Sequence, residues 1–365
     1  MLDFEIYTLI NIIALFIGLV FGFIAQQKQF CFSGSIKDYL QIKSTKRAAS
    51  VIMAMIIAII STQILSNYYE IDLSKSAYFK QDINYFAIIV GGALFGAGMM
   101  IADGCSSRSI VKFAQGDANA LITLLFIAIF AYATTKGALF EIINPFINNQ
   151  TLIDISKNIN NFQFNIYIVL AILFVLLYLF TKKIKRVFSL YDGAIIGLLV
   201  GIAWYVTGHI GLESFDKEIS LQAISFVYPS AKTLELFTYY QVNEFSFGVC
   251  LVLGAVAGTF ISTLFNKKYS FGCTANKNIN KVKYNMIGGS MMGVGGIMAI
   301  GCTVGQGLSG VSTLVFSSFL AIISIFISGY FTGKFLHKRE KLAMCFIFEW
   351  EEEDGKKQKE IDYHI

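Results

Sequence analysis

Three cysteines share one kind of neighbourhood. Cys31 stands in "QFCFSGSIKD", Cys105 in "ADGCSSRSIV" and Cys302 in "AIGCTVGQGL". Each has glycine and small hydroxyl residues close by. A thiol is a weak donor and a soft, polarizable acceptor. A row of thiols is therefore a poor path for a hard ion such as magnesium and suits a soft species bearing sulfur or selenium. Ser106, Ser107, Thr303 and Gln306 supply polar groups that can offer donors to an anion. Arg108 places a cation three residues after Cys105, where it can favour a thiolate. The competing reading of any free cysteine is a small buried hydrophobe. That reading suits Cys250 in "FGVCLVLGAV", Cys273 in "SFGCTAN" and Cys345 near the C-terminus. No CxxC pair occurs and the three histidines are scattered, so neither a structural zinc site nor a disulfide framework is expected. With no nucleotide loop and no Ser/His/Asp arrangement, the expectation is no enzyme, no metal and no cofactor.

The elements that hold these cysteines are apolar. Of 365 residues, 55% are hydrophobic and only 15% are charged, against roughly 25% charge in soluble domains. The charges lie between long apolar runs, each able to cross a hydrocarbon core of about 30 Å as a helix. The sequence predicts an all-α polytopic membrane protein with about nine transmembrane helices. Their expected limits are Tyr7–Ala25, Ala48–Ser66, Asn84–Ala102, Ala118–Thr135, Phe164–Phe180, Tyr191–Thr207, Phe245–Phe265, Tyr284–Ile300 and Val311–Gly333. No basic segment precedes the first apolar run, so a cleaved signal peptide is not expected. Lysine and arginine concentrate after spans one, five, seven and nine. The positive-inside rule then puts the N-terminus outside and the C-terminus in the cytoplasm. The net charge of +5 is accounted for by this topology, and no nucleic-acid partner is expected.

The chain also writes one glycine lattice twice. Gly91, Gly92, Gly96, Gly98, Ala102, Gly104 and Cys105 recur 197 positions later as Gly288, Gly289, Gly293, Gly295, Ala299, Gly301 and Cys302. These lie in spans three and eight, which cross in opposite directions. "IGLVFG" at 17–22 and "IGLLVG" at 196–201 pair span one with span six in the same sense. The expectation is two inverted four-helix repeats, 1–163 and 191–335, joined by a linking helix in 164–190 and followed by a charged tail, 336–365. Secondary transporters often use such repeats, with substrate held near the midplane. Glycines at small-xxx-small spacing also simply let helices approach. Packing does not explain why both lattices stop at Gly-Cys before small polar residues. Those residues favour a helix break and a new helix N-terminus, and such an N-terminus is ready to bind an anion. Short broken or re-entrant helices are therefore expected at Cys105 and Cys302. "SFVYPSAKTLEL" at 225–236 is a weaker counterpart of "QFCFSGSIKDYL" at 29–40, with Val227 where Cys31 would stand.

At these residues the sequence resembles the YeeE/YedE family of bacterial membrane proteins. The carrying stretches are "QKQFCFSGSIKD", "GGALFGAGMMIADGCSSRSIVKFAQGD", "WYVTGHIG", "SFGVCLVLGAVAGTF" and "GGSMMGVGGIMAIGCTVGQGLSGVST", within roughly residues 10 to 335. The resemblance implies an inner-membrane permease for a small sulfur anion such as thiosulfate. Cys31, Cys105 and Cys302 occupy the family's motif positions and would line its central path. One branch of the family is associated with selenium metabolism, and "DGCSSRSIVKFAQGD" looks closer to it, so sulfur and selenium both stay open. The family also implies a possible partner, a small cytoplasmic sulfur carrier resembling TusA. The alternative function is then a membrane protein that takes sulfur or selenium on a cysteine and relays it to that carrier. A channel for neutral solutes is a third reading.

Overall fold

The computed structural model describes residues 2–79, 83–157, 163–182, 190–213, 219–238, 245–267, 269, 279–339 and 342. Cys273, Cys345 and the charged tail beyond 342 lie outside the described residues. The described residues are helical and contain no strand; one isolated bridge joins Gln163 to Val315. The protein is an all-α polytopic membrane protein.

The long helices are α1 (Leu2–Lys28), α3 (Lys46–Tyr68), α4 (Tyr85–Ile101), α6 (Ala118–Thr135), α10 (Tyr191–Gly208), α12 (Phe247–Phe265), α13 (Ile279–Met298) and α14 (Phe316–Lys338). Shorter helices lie between them: α2 (Phe32–Ile42), α5 (Ser106–Ala114), α7 (Phe140–Ile147), α8 (Gln150–Lys157), α9 (Ile166–Thr181) and α11 (Val227–Thr238). Seven helical stretches are long and apolar enough to cross a membrane. The two expected spans outside that set are α9, which has 16 residues, and α13, whose glycines and lysines dilute its apolar content. On α9 only Val169, Leu173 and Leu177 are buried, while Ile168, Ile172, Val175 and Leu179 are exposed. A single i, i+4 stripe facing protein with leucine and isoleucine elsewhere is the pattern of a helix that meets lipid.

Glycine decides how the long helices pair. Gly18 of α1 sits on the backbone of Leu251 and Ala255, and Gly22 on Ala255 and Thr259. Gln26 Oε1 then accepts from Ser262 Oγ at 2.7 Å and Asn266 Nδ2 at 3.1 Å. The rising order on both sides makes α1 and α12 parallel. α10 runs parallel to α3 in the same way, with Gly193 on Ser50, Gly197 on Ala54 and Gly201 on Ser61. Gly92 and Gly96 set α4 along α14, and Gly289 and Gly293 set α13 along α6. α4 and α13 meet antiparallel at the centre. A Cβ on Gly98 would lie 2.7 Å from Gly288 O, and one on Gly295 would lie 2.6 Å from Gly91 O. Approach this close is open only to glycine or the smallest side chains.

The contacts gather one set of helix ends together. Thr45 Oγ1, before α3, donates to Phe180 O at the end of α9. Lys28, at the end of α1, lies over the ring of Tyr191, which opens α10. Gln41 Nε2, near the end of α2, donates to Leu342 O, beyond α14. The connections rich in lysine and arginine thus share one end of the molecule, called here the basic end.

Candidate functional site

Each of the three cysteines heads a helix that follows a break. After α1 the chain turns through Gln29, which has φ +59°, and Cys31 becomes the N-cap of α2. Its Sγ accepts from Gly34 N at 3.2 Å and lies 3.2 Å from Ser33 Oγ. After α4, Gly104 adopts φ +148°, a conformation available to glycine, and Cys105 becomes the N-cap of α5. Its Sγ lies 3.3 Å from Ser107 Oγ. After α13, Ile300 adopts φ +59°, which costs a β-branched residue about 1–2 kcal/mol. The strained turn lets Cys302 open a new short helix over 303–312, π-helical across Gly305–Gly310. Cys302 Sγ accepts from Gly305 N at 3.3 Å, and its carbonyl accepts from Gln306 N at 2.7 Å. The ninth expected span therefore starts late. Val311 belongs to the short helix, Leu314 turns the chain at φ +63°, and α14 begins at Phe316.

These helix starts converge. The Cys105 thiol lies beside the Ser107 hydroxyl of its own helix and close to the side chains of Cys31 and Thr303 from the other two. All three cysteines are free thiols and are buried. Helix N-termini carry free N–H groups and about half a positive charge each, so helix starts brought together here are ends of the kind that favour a negative group. Ser106 is fully buried, and its hydroxyl meets no hydrogen-bond partner among the described residues. Gln306 donates through Nε2 to Ala299 O and so braces the broken end of α13. The buried Arg108 side chain packs over Gly104. Cys250 lies on α12 among core residues with the other buried side chains of that helix.

Aromatic rings wall the centre. Phe32 meets Phe30 edge-on at 5.9 Å and Phe326 at 6.1 Å between centroids. A Cβ on Gly307 would come within 2.7 Å of the Phe32 ring, so that glycine makes room for it. The π-helical segment is pinned from several sides. Tyr78 Oη donates to Gly305 O at 3.0 Å, Ser309 Oγ to Ile224 O at 2.8 Å, and Trp204 Nε1 to Ser312 Oγ at 3.0 Å. Tyr78 is also within electrostatic range of Cys302. Sequence reasoning missed Tyr78, because it lies in a turn of 3₁₀ helix at Ala77–Phe79 with no motif around it. It missed Lys37 too, which reads as a helix-surface lysine and is fully buried. Among the described residues no group of His, Cys, Asp and Glu could hold a metal ion.

Long apolar helices around a buried polar centre built on helix breaks define a polytopic membrane transport protein. The chain belongs to the sulphur transport family, of the YeeE/YedE type: the family model matches residues 27–332. It is a transporter and not an enzyme. It is similar to the thiosulfate transporter TsuA of Escherichia coli K12, with 22% identity over 349 residues, 87% of this chain and 92% of the relative. It is also similar to the thiosulfate transporter TsuA of Spirochaeta thermophila, with 24% identity over 362 residues, 87% of this chain and 96% of the relative.

Proposed function

We propose that this protein takes up thiosulfate, or a selenium analogue of it, across the bacterial inner membrane, and that Cys302, Cys105 and Cys31 hand the anion along. The observation that carries the reading is the convergence of Cys31, Cys105 and Thr303, which follows Cys302, at the starts of three short helices. A terminal sulfur or selenium is soft and can accept from one thiol as it leaves another, while the oxyanion end takes N–H and hydroxyl donors. Two relatives named as thiosulfate transporters, matched over most of the chain, favour thiosulfate.

The carrier rests on two inverted repeats. Support comes from partner exchange in the packing. α1 with α12 and α10 with α3 are the same pair with the halves swapped, as are α4 with α14 and α13 with α6. Gly91 meets Gly295 while Gly98 meets Gly288, so each lattice touches the other reciprocally. With the basic end in the cytoplasm, the N-terminus lies outside.

The test is uptake of labelled thiosulfate, selenite and selenosulfate by cells lacking their own carriers. Thiosulfate uptake that requires this protein is expected. Its absence, with the protein present in the membrane, overturns the reading. A second reading, relay to a cytoplasmic carrier resembling TusA, draws on the place of Cys105 at a helix N-terminus with the Ser107 hydroxyl beside its sulfur. There a Cys105 thiolate attacks the sulfane sulfur, forms a persulfide and releases sulfite. Transport leaves the label in intact thiosulfate; relay liberates one sulfite for each sulfur bound.

A further inference from the structure

Two residues before Cys105 the chain carries Asp103, in the break between α4 and α5. Its carboxylate is held between two lysines from different elements. Lys37 Nζ, on α2, lies 3.6 Å from Oδ1, an ion pair longer than a hydrogen bond. Lys112, on α5, bonds Oδ2 and also donates to Asp103 O at 3.1 Å. Lys37 is fully buried. Burying an ammonium costs several kcal/mol unless an anion faces it, so this helix carries a charge that only a negative group justifies.

The surroundings extend the argument. Lys281 of α13 adds a weaker, more distant positive charge to the two lysines that face the carboxylate. Beyond Asp103 a small polar cavity opens, lined by Ser109, Lys112, Asn119 and Asn285 among others. Asn119 is buried and its Oδ1 meets no partner among the described residues. Asp117, another carboxylate on this cavity, is committed to capping α6, accepting from Asn119 N at 3.0 Å. Two residues of chain reach at most about 7 Å, so the lysine pair begins where the thiol centre ends.

We propose that Lys37 and Lys112 form a second oxyanion site at the basic end of the path, and that the Asp103 carboxylate is its resident anion, displaced by the transported dianion. The inference rests on the reading of the substrate as an anion. The carboxylate mimics one end of an oxyanion. While it is seated, it occupies both ammonium groups and leaves one net positive charge, so a stray ion must displace it to bind. An arriving dianion competes for both ammonium groups and leaves toward the basic end when Asp103 returns.

The experiment is equilibrium binding of sulfate and of thiosulfate to the purified full chain in detergent. Sulfate has no sulfane sulfur and reads the lysine site without help from the thiols. Asp103→Asn removes the competitor, so both anions should bind about tenfold tighter or more, the equivalent of one modest charge interaction. Adding Lys112→Gln to Asp103→Asn should abolish that gain. Sulfate affinity in a folded Asp103→Asn protein equal to that of the unaltered chain overturns the proposal. If Asp103→Asn does not fold, Lys112→Gln alone decides: weaker sulfate binding supports the site and unchanged binding overturns it. A protein that fails to take up thiosulfate, yet gains sulfate affinity on Asp103→Asn, leaves the site standing and removes the thiosulfate reading.

Discussion

At the scale of single residues, the sulfur of each cysteine does more than fill space. Cys31 and Cys302 accept backbone N–H groups of their own helices, from Gly34 and Gly305, and Cys105 lies 3.3 Å from the Ser107 hydroxyl. Serine keeps the cap and nearly the size but removes the soft atom. Losing about 1.4 kcal/mol of contact to a terminal sulfur slows its passage about tenfold. Cys31→Ser, Cys105→Ser and Cys302→Ser should each reduce initial thiosulfate uptake by that order or more at equal membrane abundance, and Cys250→Ser should leave it unchanged. Full uptake without all three thiols would end the thiol path. Tyr78→Phe deletes the bond to Gly305 O and leaves a buried carbonyl without that donor, a loss of about 1–3 kcal/mol. The detergent-solubilised protein should melt several degrees lower, with uptake reduced and the ring packing on Trp204 retained.

At the scale of elements, the glycine lattice fixes how far the central helices can be moved. A Cβ on Gly288 would sit 2.6 Å from both Gly98 O and Ala102 N, all on backbone that has nowhere to go. Overpacking of this kind costs about 1–3 kcal/mol for a methyl and more for a larger group. Gly288→Leu should therefore abolish folded protein as judged by size-exclusion of the solubilised chain. Gly211→Ala makes only ordinary contacts, with Ile219 at 3.5 Å and Val206 O at 3.7 Å, and should leave the profile unchanged. Much of this level was legible in the sequence. Asn84 caps α4 one residue before Tyr85, through Ala87 N, and the expected span began there. The breaks at Cys105 and Cys302 were readable because Gly-Cys-Ser/Thr is poor helix interior and a good helix start. Val311 was not readable as part of a separate helix. Val311 can open the apolar run that follows as readily as close the short helix, and the tertiary bonds from Tyr78, Trp204 and Ser309 that pin the π-helical turn leave no local signal. Lys37 was hidden for the same reason, since its burial depends on Asp103, 66 positions away.

At the scale of the whole molecule, charge is sorted between the two ends. Lys28, Lys43, Lys46 and Lys182 lie at or beside helix ends that the contacts bring to one side. Lys338 joins them through the run of α2 beside α14, where Leu40 meets Gly333. At the other end the basic groups are sparse, and Lys136 and Lys232 are both spent on Glu235, at 2.9 and 2.8 Å. Anionic lipid on the cytoplasmic leaflet and the inside-negative potential both favour basic connections inside. The same potential opposes entry of a dianion by about 2.3 kcal/mol per charge per 100 mV. With the basic end inside, the proposed lysine site would offer the arriving anion a local well where the membrane field is least favourable to it. A reporter that works only in the cytoplasm should be active when fused after Ile365 and silent when fused before Met1. A silent, well-expressed C-terminal fusion would reverse the orientation. The lysine pair at Lys37 and Lys112 would then face the outside as an entry site, and its loss would raise the thiosulfate concentration needed for half-maximal uptake; with the basic end inside, it should chiefly lower the maximal rate.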